Sequence, residues 1–404
     1  MAVESIAEYP SVELAECPFP FYDRLRREAP VYQLPDRPDL YFITRYEDVR
    51  AVLGDPTSFS SQHHLRDFIG FELLIGTQAG PPPMIDADEP LHKELRTMAV
   101  GPLKPARLKS YEPMIHELVD DIIDTFIDEG KVEFVDQFSH ALPVQLTMRL
   151  MGVPTRDTEW IREWAKFEAA GLPFLSEEFN HEQMVRSTRM NEYLRTKIQE
   201  RYEQRADDVI SEVIDAQLAQ RGEFDVAEVL PQVAILLGGG VSTTAHFLAS
   251  AMLLLVESPD QMAMVQSDRT LIPRMLDEAI RLEPPIQWMP RRVTNDVELH
   301  RTRIPRGSFV LISLAAANRD GDRFPCPGAF DVTRKRVNDH LTFGYGPHYC
   351  LGAPLARLEM RIAFDRLLTR LRNIRLAPRA EIRHIPSPHM RGLTHLHLEF
   401  EAAV

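Results

Sequence analysis

The sequence predicts a mainly α-helical protein with a minor β portion, folded as a single domain over residues 1–404. Apolar residues recur at helical spacing from Leu91 to about Ala219, and a longer apolar stretch runs from Val233 to Val256. Strand-like runs are short and few, and no linker rich in proline, glycine or serine divides the chain. These observations favour one large helical domain.

The charge balance and the cysteines narrow the class of protein. The chain carries 46 Lys and Arg residues against 60 Asp and Glu residues, a formal net charge of -14, so its surface should repel nucleic acid and anionic membranes. Cys17, Cys326 and Cys350 lie far apart, which argues against a disulfide framework and favours a reducing, cytoplasmic location. The N-terminus has no basic segment followed by an apolar run, so we expect neither a signal peptide nor a membrane anchor.

The first quarter of the chain contains a hairpin and a long loop. The runs PVYQL and YFITR flank residues 35–38, PDRP, and this pattern predicts a β-hairpin. Residues 60–90 look like a loop and contain three consecutive prolines. A loop of this length in a compact protein is often functional. Helical spacing then begins at Leu91.

The longest apolar stretch predicts a helix that is buried in the core. Asp225 and Glu228, three residues apart, form an N-cap pair just before it. The stretch is long enough to span a membrane, but it contains three consecutive glycines, several hydroxyl residues and His246, and it lacks basic flanks. A core helix is therefore the better interpretation.

The last third of the chain predicts two helices among short strands. A helix from Leu271 to Leu282 ends at two consecutive prolines. Short strands are expected in VELHRTRI (297–304), SFVLISL (308–314) and HLHLEF (395–400). Leucine and isoleucine residues spaced four, three and four apart predict a second helix, from Cys350 to about Arg372.

The segment FGYGPHYCLG, residues 343–352, carries the strongest chemical signal. Cys350 stands at the start of the predicted helix, where free backbone N–H groups and a helix dipole of about half a positive charge favour a thiolate over a thiol. Gly346 and Gly352 lack side chains, so a flat ligand can approach the backbone. Phe343 can shield the sulfur from water, and His348 can donate a hydrogen bond to an anion.

Two other interpretations compete with a ligand role for Cys350. A lone cysteine is often a small buried core residue. A zinc site is the rival metal interpretation, but it needs further ligands, and Cys17 and Cys326 offer no C-x-x-C partner. His395 and His397 share one strand face, a pattern more typical of packing or solvent exposure.

The context decides between these interpretations, because residues 343–352 match the haem-binding signature of cytochromes P450, F-x-x-G-x-(H/R)-x-C-x-G, at every fixed position. The resemblance to this family extends over almost the whole chain. It implies a single-domain cytochrome P450 fold, with haem b between the long oxygen-activating helix and the helix that follows the cysteine loop. It also implies that Cys350 is the axial ligand of the iron and that Phe343, Gly344 and Gly352 belong to the cofactor-binding loop.

Other segments resemble parts of the same family that surround the haem. Glu278 and Arg281 match the E-x-x-R helix motif, a buried pair that braces the thiolate side, and Arg334 is the candidate third member. A solvated surface pair is the alternative when these residues are taken alone. The resemblance also implies basic residues that contact the haem propionates, namely His92, Arg96, Arg291 and His348.

The run GGVSTT, residues 239–244, resembles the oxygen-activating pattern of the family, (A/G)-G-x-(D/E)-T-T. The resemblance implies that Gly239 leaves room beside the haem and that Thr243 is a catalytic hydroxyl that helps to deliver protons. Ser242 stands where the family has an acidic residue. A serine can pass a proton along a hydrogen-bonded chain, but it holds no negative charge at neutral pH. We expect Ser242 to act in catalysis with a slower or rerouted proton supply.

The implied activity is that of a haem-thiolate mono-oxygenase, which inserts one atom of O2 into a C–H bond of a small lipophilic substrate. Taken alone, each apolar residue near the predicted site is more often part of a core, but together they predict an apolar pocket. The expected pocket residues are Phe68, Phe71, Leu73, Leu74, Ile235, Ile286, Trp288, Met289, Leu393 and Thr394.

Electrons are expected from separate proteins, because no flavin or iron–sulfur segment is fused to the chain. The resemblance implies a ferredoxin and an NAD(P)H-dependent ferredoxin reductase. Despite the acidic total, a local basic patch would attract an acidic ferredoxin. Its candidate members are Lys93, Arg96, Lys104, Arg107, Lys109, Arg357 and Arg361.

Two other functions compete with the mono-oxygenase. The first is a peroxide-dependent haem-thiolate peroxygenase, suggested only by Ser242; Thr243 and the absence of an arginine-proline pair nearby argue against it. The second is a non-catalytic haem-thiolate protein that binds or senses a ligand. The oxygen-side threonine and the apolar pocket argue against this second alternative.

Overall fold

The computed structural model of the protein describes residues 12–62, 82–169 and 177–403. The protein is 57% helical with a minor sheet portion, which confirms the predicted fold class. The helices of the described residues are α1 (Val12–Glu16), α2 (Phe19–Glu28), α3 (Tyr46–Gly54), α4 (Leu91–Ala99), α5 (Pro105–Asp124), α6 (Ala141–Leu150), α7 (Thr158–Ala169), α8 (Glu177–Glu203), α9 (Val209–Arg221), α10 (Val226–Glu257), α11 (Pro259–Ser267), α12 (Ile272–Leu282), α13 (Leu314–Ala317) and α14 (Ala353–Arg370).

The strands of the described residues form three small sheets. Five strands pair in the order β1-β2-β8-β5-β3, three in the order β4-β10-β9, and β6 pairs with β7. Only β2 and β8 run parallel among these pairs. The strands are β1 (Val31–Leu34), β2 (Arg37–Ile43), β3 (Phe59–Ser60), β4 (Lys131–Glu133), β5 (Trp288–Val293), β6 (Val297–Leu299), β7 (Thr302–Ile304), β8 (Phe309–Ser313), β9 (Leu371–Leu376) and β10 (His397–Ala402).

Two hairpins test the strand predictions. β1 and β2 pair antiparallel, with Val31 opposite Ile43, which confirms the predicted hairpin. The stretch 297–304 is a hairpin of β6 and β7 rather than one strand. His300 and Arg301 adopt left-handed φ angles of 46° and 62°, and a pair of such residues forms the tight turn that reverses a strand.

The helix α10 is the predicted core helix. By length and composition it is the one described helix that could cross a membrane, yet 67% of its most apolar window is buried inside the protein. Asp225 caps the helix by accepting a 2.8 Å hydrogen bond from the amide of Ala227. Burial on this scale is typical of a helix in a protein core, so the structure supports that interpretation.

Glu228 does not complete the predicted reciprocal cap, because its carboxylate has other partners. Oε2 accepts a 3.0 Å hydrogen bond from Gln217, and Oε1 accepts one of 2.7 Å from Arg221. The same guanidinium group lies 3.0 Å from the carboxylate of Glu94 in α4. Arg221 therefore links the end of α9 to the first turn of α10 and to α4.

Hydrogen bonds fix the residues of the predicted loop 60–90 that the structure describes. The hydroxyl of Ser60 donates a hydrogen bond to the carboxylate of Asp88. Gln232 of α10 accepts a 3.1 Å hydrogen bond from the amide of Met84 and donates one of 3.4 Å to the carbonyl of Pro82. These contacts fix the chain just before it enters α4.

The alternation of side chains along the large sheet explains where the apolar clusters lie. Tyr41 and Ile43 of β2 pack in one cluster, whereas Leu40 and Phe42 pack in another, as alternate residues of a strand face opposite sides. A third and larger cluster joins α5, α6, α8, α9, α10, α12 and α14. The helices that flank the candidate site are thus anchored in the largest core.

Candidate active site

Cys350 lies in a tight loop that leads into α14. The helix begins at Ala353, so the predicted helix start is three residues too early. The amide of Cys350 donates a 2.8 Å hydrogen bond to the carbonyl of Phe343, which closes the loop at its base. Gly344 and Gly346 have left-handed φ angles of 74° and 72°, a conformation that favours glycine. The shape of the loop therefore follows from its own residues.

The two glycines expected to admit a flat ligand differ in their surroundings. A Cβ at Gly346 would lie 2.8 Å from the carbonyl oxygen of Leu53, so this glycine lets the loop dock on α3 and the ligand-access role predicted for it is wrong. A Cβ at Gly352 would lie 3.9 Å from the sulfur of Cys350, an ordinary contact distance. Gly352 is thus the glycine that lies beside the sulfur.

The surroundings of the Cys350 sulfur act on its ionisation in two directions. Burial raises the pKa of the thiol and prevails, while the N–H groups of Gly352 and Ala353 and the guanidinium groups of Arg96 and Arg357 act to lower it. The residue is nevertheless exposed. The loop therefore presents the Cys350 residue to space that a ligand can enter, while protein surrounds its thiol group. The N–H groups at the helix start act towards the thiolate, but they do not outweigh burial, and a cationic ligand would be needed to favour the thiolate.

A buried carboxylate braces the chain that leads to this loop. Glu278 and Arg281 have fully buried side chains and share hydrogen bonds of 2.7 and 2.8 Å. Arg334 donates a 2.9 Å hydrogen bond to the same carboxylate, so the predicted third member is confirmed. Both guanidinium groups also bond carbonyl oxygens between Asn318 and Ala329. The surface-pair interpretation is therefore wrong.

Three of the predicted basic residues meet at the edge of the cysteine loop. The ring centroids of His92 and His348 lie 4.0 Å apart. Arg96, one turn after His92 in α4, donates a 2.8 Å hydrogen bond to the carbonyl of Tyr349, the residue before Cys350. These cationic or hydrogen-bonding groups can hold an anion beside the sulfur.

Arg291, the fourth predicted basic residue, is buried in β5. Burial lowers the pKa of its guanidinium group to about 10, against the attraction of Asp88 and Asp86. Burial also raises the pKa of Asp86 to about 7, against the attraction of Arg291. The carbonyl of Asp88 accepts a 2.9 Å hydrogen bond from the amide of His92. Arg291 is thus connected to the other basic residues through the segment that precedes α4.

The predicted oxygen-side residues lie on α10. Gly239 is exposed in the middle of a buried helix, and a Cβ there would meet no atom within 4 Å. The hydroxyl of Thr243 donates a 2.8 Å hydrogen bond to the carbonyl of Gly239, and Ser242 is buried. Ile235 of the same helix and Leu351 of the cysteine loop pack against one apolar cluster. The turn of α10 that carries Ile235, one turn before Gly239, therefore packs against the same cluster as the cysteine loop.

The pocket residues predicted just before and within β5 lie in two different apolar clusters. Ile286 forms an isolated β-bridge with Met390, and Ile286 and Met289 pack against the same cluster. Trp288 lies on the opposite face of the strand, where its indole N–H donates a 3.0 Å hydrogen bond to the carbonyl of Pro388. Trp288 is therefore part of the core behind the sheet, which corrects its assignment to the pocket.

The C-terminal pocket residues also need correction. Leu393 is buried in the large helical core. The hydroxyl of Thr394 donates a 3.2 Å hydrogen bond to the carbonyl of Arg383, since this segment pairs with the chain near His384. The remaining pocket predictions, Phe68, Phe71, Leu73 and Leu74, lie outside the described residues.

Two residues at the site escape the sequence-based prediction of their role. Arg357, assigned to a surface patch, lies with its guanidinium carbon 4.4 Å from the centroid of the Phe343 ring and bonds Tyr349 and Asp277 at 3.0 and 3.2 Å. Gln232 holds the segment before α4, and a polar residue seven positions before Gly239 in an apolar helix is a signal that could have identified it.

The donor set at the site fits one kind of ligand. Among residues 12–62, 82–169 and 177–403, no group of three or more His, Cys, Asp or Glu side chains could hold a metal ion, which leaves the zinc interpretation without a site there. One accessible sulfur, basic side chains along one edge and an open apolar helix face instead match a flat metal complex that carries carboxylates. A haem group has these properties.

The family model for Cytochrome P450 matches residues 162–395. The chain belongs to the cytochrome P450 family. Cytochrome P450 107B1 of Saccharopolyspora erythraea is 32% identical over 93% of each chain. The structure of cytochrome P450 CYP109Q5 from Chondromyces apiculatus has a TM-score of 0.85 at 31% identity and 97% coverage of both chains. That of CYP109E1 from Bacillus megaterium, in complex with testosterone, has a TM-score of 0.85 at 27% identity, with 96% of this chain and 99% of that chain covered.

Membership of the cytochrome P450 family implies a haem cofactor, redox partners and lipophilic substrates. The bacterial relatives are soluble, which fits a cytoplasmic protein.

Proposed function

We propose that this cytochrome P450 is a cytoplasmic haem b mono-oxygenase that hydroxylates a small lipophilic substrate. The balanced reaction is RH + O2 + NAD(P)H + H⁺ → ROH + H2O + NAD(P)⁺, with both electrons carried by a ferredoxin reductase and a ferredoxin. The observation that carries the proposal is the exposed residue Cys350, held in a closed loop whose Leu351 packs against the same cluster as Ile235 of α10.

The chain's own groups would fix the cofactor in one orientation. When bound, the haem supplies the oxidising chemistry at its iron. The sulfur of Cys350 would bind its iron, in a loop closed by the carbonyl of Phe343 and with Gly352 beside the sulfur. The propionates would be held by His92, Arg96, His348 and the buried Arg291, because a guanidinium fork matches the geometry of a carboxylate.

The hydroxyl groups of Ser242 and Thr243 on α10 would control the supply of protons to the site. The hydroxyl of Thr243, which donates to the carbonyl of Gly239, can rotate towards the open space at Gly239. Reduction of one oxygen atom to water consumes two protons. Ser242 can pass these protons on but cannot store one as a charge. We therefore expect partial uncoupling, in which some NAD(P)H is consumed without product.

The pocket would be formed by apolar residues around the open face of α10. Ile235, Ile286 and Met289 remain its members, and Met390 joins them through its bridge to Ile286. Apolar walls favour a lipophilic ligand. The structure of the relative CYP109E1 was solved with testosterone. This supports a steroid as the ligand, in preference to a terpenoid, a fatty acid or an aromatic compound.

Electrons would enter over a smaller basic surface than the sequence predicts. Arg107 forms ion pairs with Asp207 and Glu212 at 2.8 and 2.7 Å, and Arg361 forms one with Glu112 at 3.3 Å. Of the residues predicted for this patch, the exposed ones that form no ion pair within the described part of the chain are Lys93, Lys104 and Lys109. These lysines would attract an acidic ferredoxin.

The assignment is tested by two measurements. The reduced protein with carbon monoxide should show the long-wavelength Soret band of thiolate-ligated haem, and Cys350→His should abolish that band while haem stays bound. With a ferredoxin and its reductase, a compound that shifts the ferric protein from low to high spin should stimulate NAD(P)H consumption and yield a hydroxylated product. No such band in the wild type would overturn the assignment. The band without stimulated consumption would favour a non-catalytic binding protein.

A peroxide-dependent peroxygenase is the second candidate, favoured only by Ser242. Hydrogen peroxide can replace O2, NAD(P)H and the redox proteins in the same assay. Product that forms faster with peroxide than with the complete electron-transfer chain would favour this alternative.

A further inference from the structure

We propose that His246 takes over the role of the carboxylate that is missing at position 242. It would supply protons to the hydroxyl groups of Ser242 and Thr243, and His140 would supply protons to it. This proposal rests on the proposed mono-oxygenase function and names the proton donor within it.

The position of His246 on α10 supports this role. Gly239, Ser242, Thr243 and His246 follow the spacing i, i+3, i+4, i+7, so they share one face of the helix. Side chains three and four residues apart have Cβ atoms about 5–6 Å from each other. The imidazole is therefore within one turn of both hydroxyl groups. Ser242 is 9% exposed and His246 is 2% exposed, so bulk water does not separate them.

A second buried histidine, His140, lies next to His246. His140, the residue just before α6, has its ring centroid 5.8 Å from that of His246, with the planes at 86°. It is 7% exposed. The chain therefore places two imidazoles in succession beside Ser242.

The backbone of Gly392 fixes the ring of His246. A Cβ at Gly392 would overlap Nδ1 and Cγ of that ring, so only glycine leaves room for it. The close fit therefore keeps the imidazole in one position beside α10.

An imidazole suits this task because one ring nitrogen can donate a proton while the other accepts one. A proton leaves His246 for the oxygen of Ser242 as the hydroxyl proton of Ser242 moves towards the opening at Gly239. His246 regains a proton from His140, and His140 regains one from solvent. Each group returns to its starting state, so the net change is one proton moved inwards, and the electrons come from NAD(P)H as above.

The first test measures the NMR resonances of the histidine side chains in a protein that is not turning over. In the diamagnetic carbon monoxide complex of the reduced protein, ¹⁵N-labelled His246 should change its imidazole resonances in Ser242→Ala and keep them in Ser242→Thr, which retains a hydroxyl. The resonances of His140 should change in His246→Gln. His116 of α5 provides the unaffected control. Unchanged His246 resonances in Ser242→Ala would overturn the proposal.

The second test is a double-mutant cycle on product formed per NAD(P)H. His246→Gln should lower this ratio by about threefold or more in the wild type and hardly at all in Ser242→Asp, where the new carboxylate supplies protons. His246→Asn provides a second, smaller replacement against Gly392. His116→Gln is the matched control and should change nothing.

The outcomes separate this proposal from the function on which it rests. An equal loss from His246→Gln in both backgrounds would indicate a structural role and contradict the proposal. A loss in Glu359→Gln with none in His246→Gln would also contradict it, because the donor would then be the carboxyl group of Glu359, a buried residue of α14. A wild-type protein without the thiolate band would instead refute the proposed function before any variant is compared.

Discussion

The carboxylate of Glu278 receives two hydrogen bonds from Arg281 in the protein interior, at 2.7 and 2.8 Å. Both side chains are fully buried, and Arg334 bonds the same carboxylate. Removal of one member of such a pair is costly, because it leaves a buried charge without compensation. The stability of the segment that precedes the cysteine loop therefore depends on one carboxylate.

Replacement of this carboxylate should destabilise the whole protein. We expect Glu278→Gln to lower the free energy of unfolding by about 3–5 kcal/mol and to weaken the thiolate band, since two guanidinium groups lose their counter-charge. Urea denaturation measures the first effect and the carbon monoxide spectrum the second. Glu117→Gln, on the exposed surface of α5, is the control and should stay within about 0.5 kcal/mol. A similarly small change in Glu278→Gln would refute the bracing role.

Glu359 of α14 should make stability depend on pH. It is buried, its Oε1 makes no hydrogen bond among the described residues, and burial raises its pKa from 4.5 to about 8. The folded state thus binds a proton that the unfolded state releases, so this group's contribution is favourable below pH 4.5 and is lost as the pH rises to about 8. Glu359→Gln should therefore raise the free energy of unfolding by about 1–3 kcal/mol above pH 8 and change it little near pH 4.5.

Melting temperatures of Glu359→Gln and the wild type across this pH range measure the difference. Glu117→Gln serves again as the control, because its carboxylate is exposed. A difference that does not grow with pH would show that folding does not raise the pKa of Glu359.

Gly392→Ala should destabilise the protein through a collision with His246. The methyl group would overlap the imidazole, and overpacking of this kind costs about 1–3 kcal/mol. A second change, His246→Ala, should recover part of the loss because it makes room for the methyl group. Guanidinium denaturation of the two single variants and the double variant gives the coupling. Strictly additive losses would mean that the two residues do not touch in solution.

Charge reversal of the exposed lysines should slow association with an acidic ferredoxin. We expect Lys93→Glu and Lys104→Glu each to lower the association rate by about tenfold at low ionic strength, with a smaller effect at high salt. Arg361→Glu should have less effect, because Glu112 already offsets its charge. Stopped-flow measurements over a range of salt concentrations test this order. An equal effect of all three changes would support the broader patch that the sequence predicts.

The cysteine loop was accessible to sequence-based reasoning because its geometry is local. The positive φ angles of Gly344 and Gly346 and the Phe343–Cys350 hydrogen bond all arise within eight residues of one another. The partners of Glu278 were also predictable, since one lies three residues away on the same helix. The start of α14 at Ala353 was not, because helix ends depend on the conformation of the preceding loop.

Predictions failed where the direction of a side chain depends on distant pairing. The face that Trp288 occupies is set by the pairing of β5 with β8, and the direction of Thr394 by its contact with Arg383. The basic patch was overestimated for a similar reason. Arg107 and Arg361 are neutralised by carboxylates from other helices and from the loop before α9, and no local pattern shows those contacts.

The guanidinium group of Arg221 touches Glu94 in α4 at 3.0 Å and Glu228 in α10 at 2.7 Å. α4 carries Lys93 on the surface where an electron donor would arrive, and α10 carries Thr243 on the face that would border the cofactor. Because one guanidinium group joins these two helices, a displacement of α4 would be felt first at the first turn of α10.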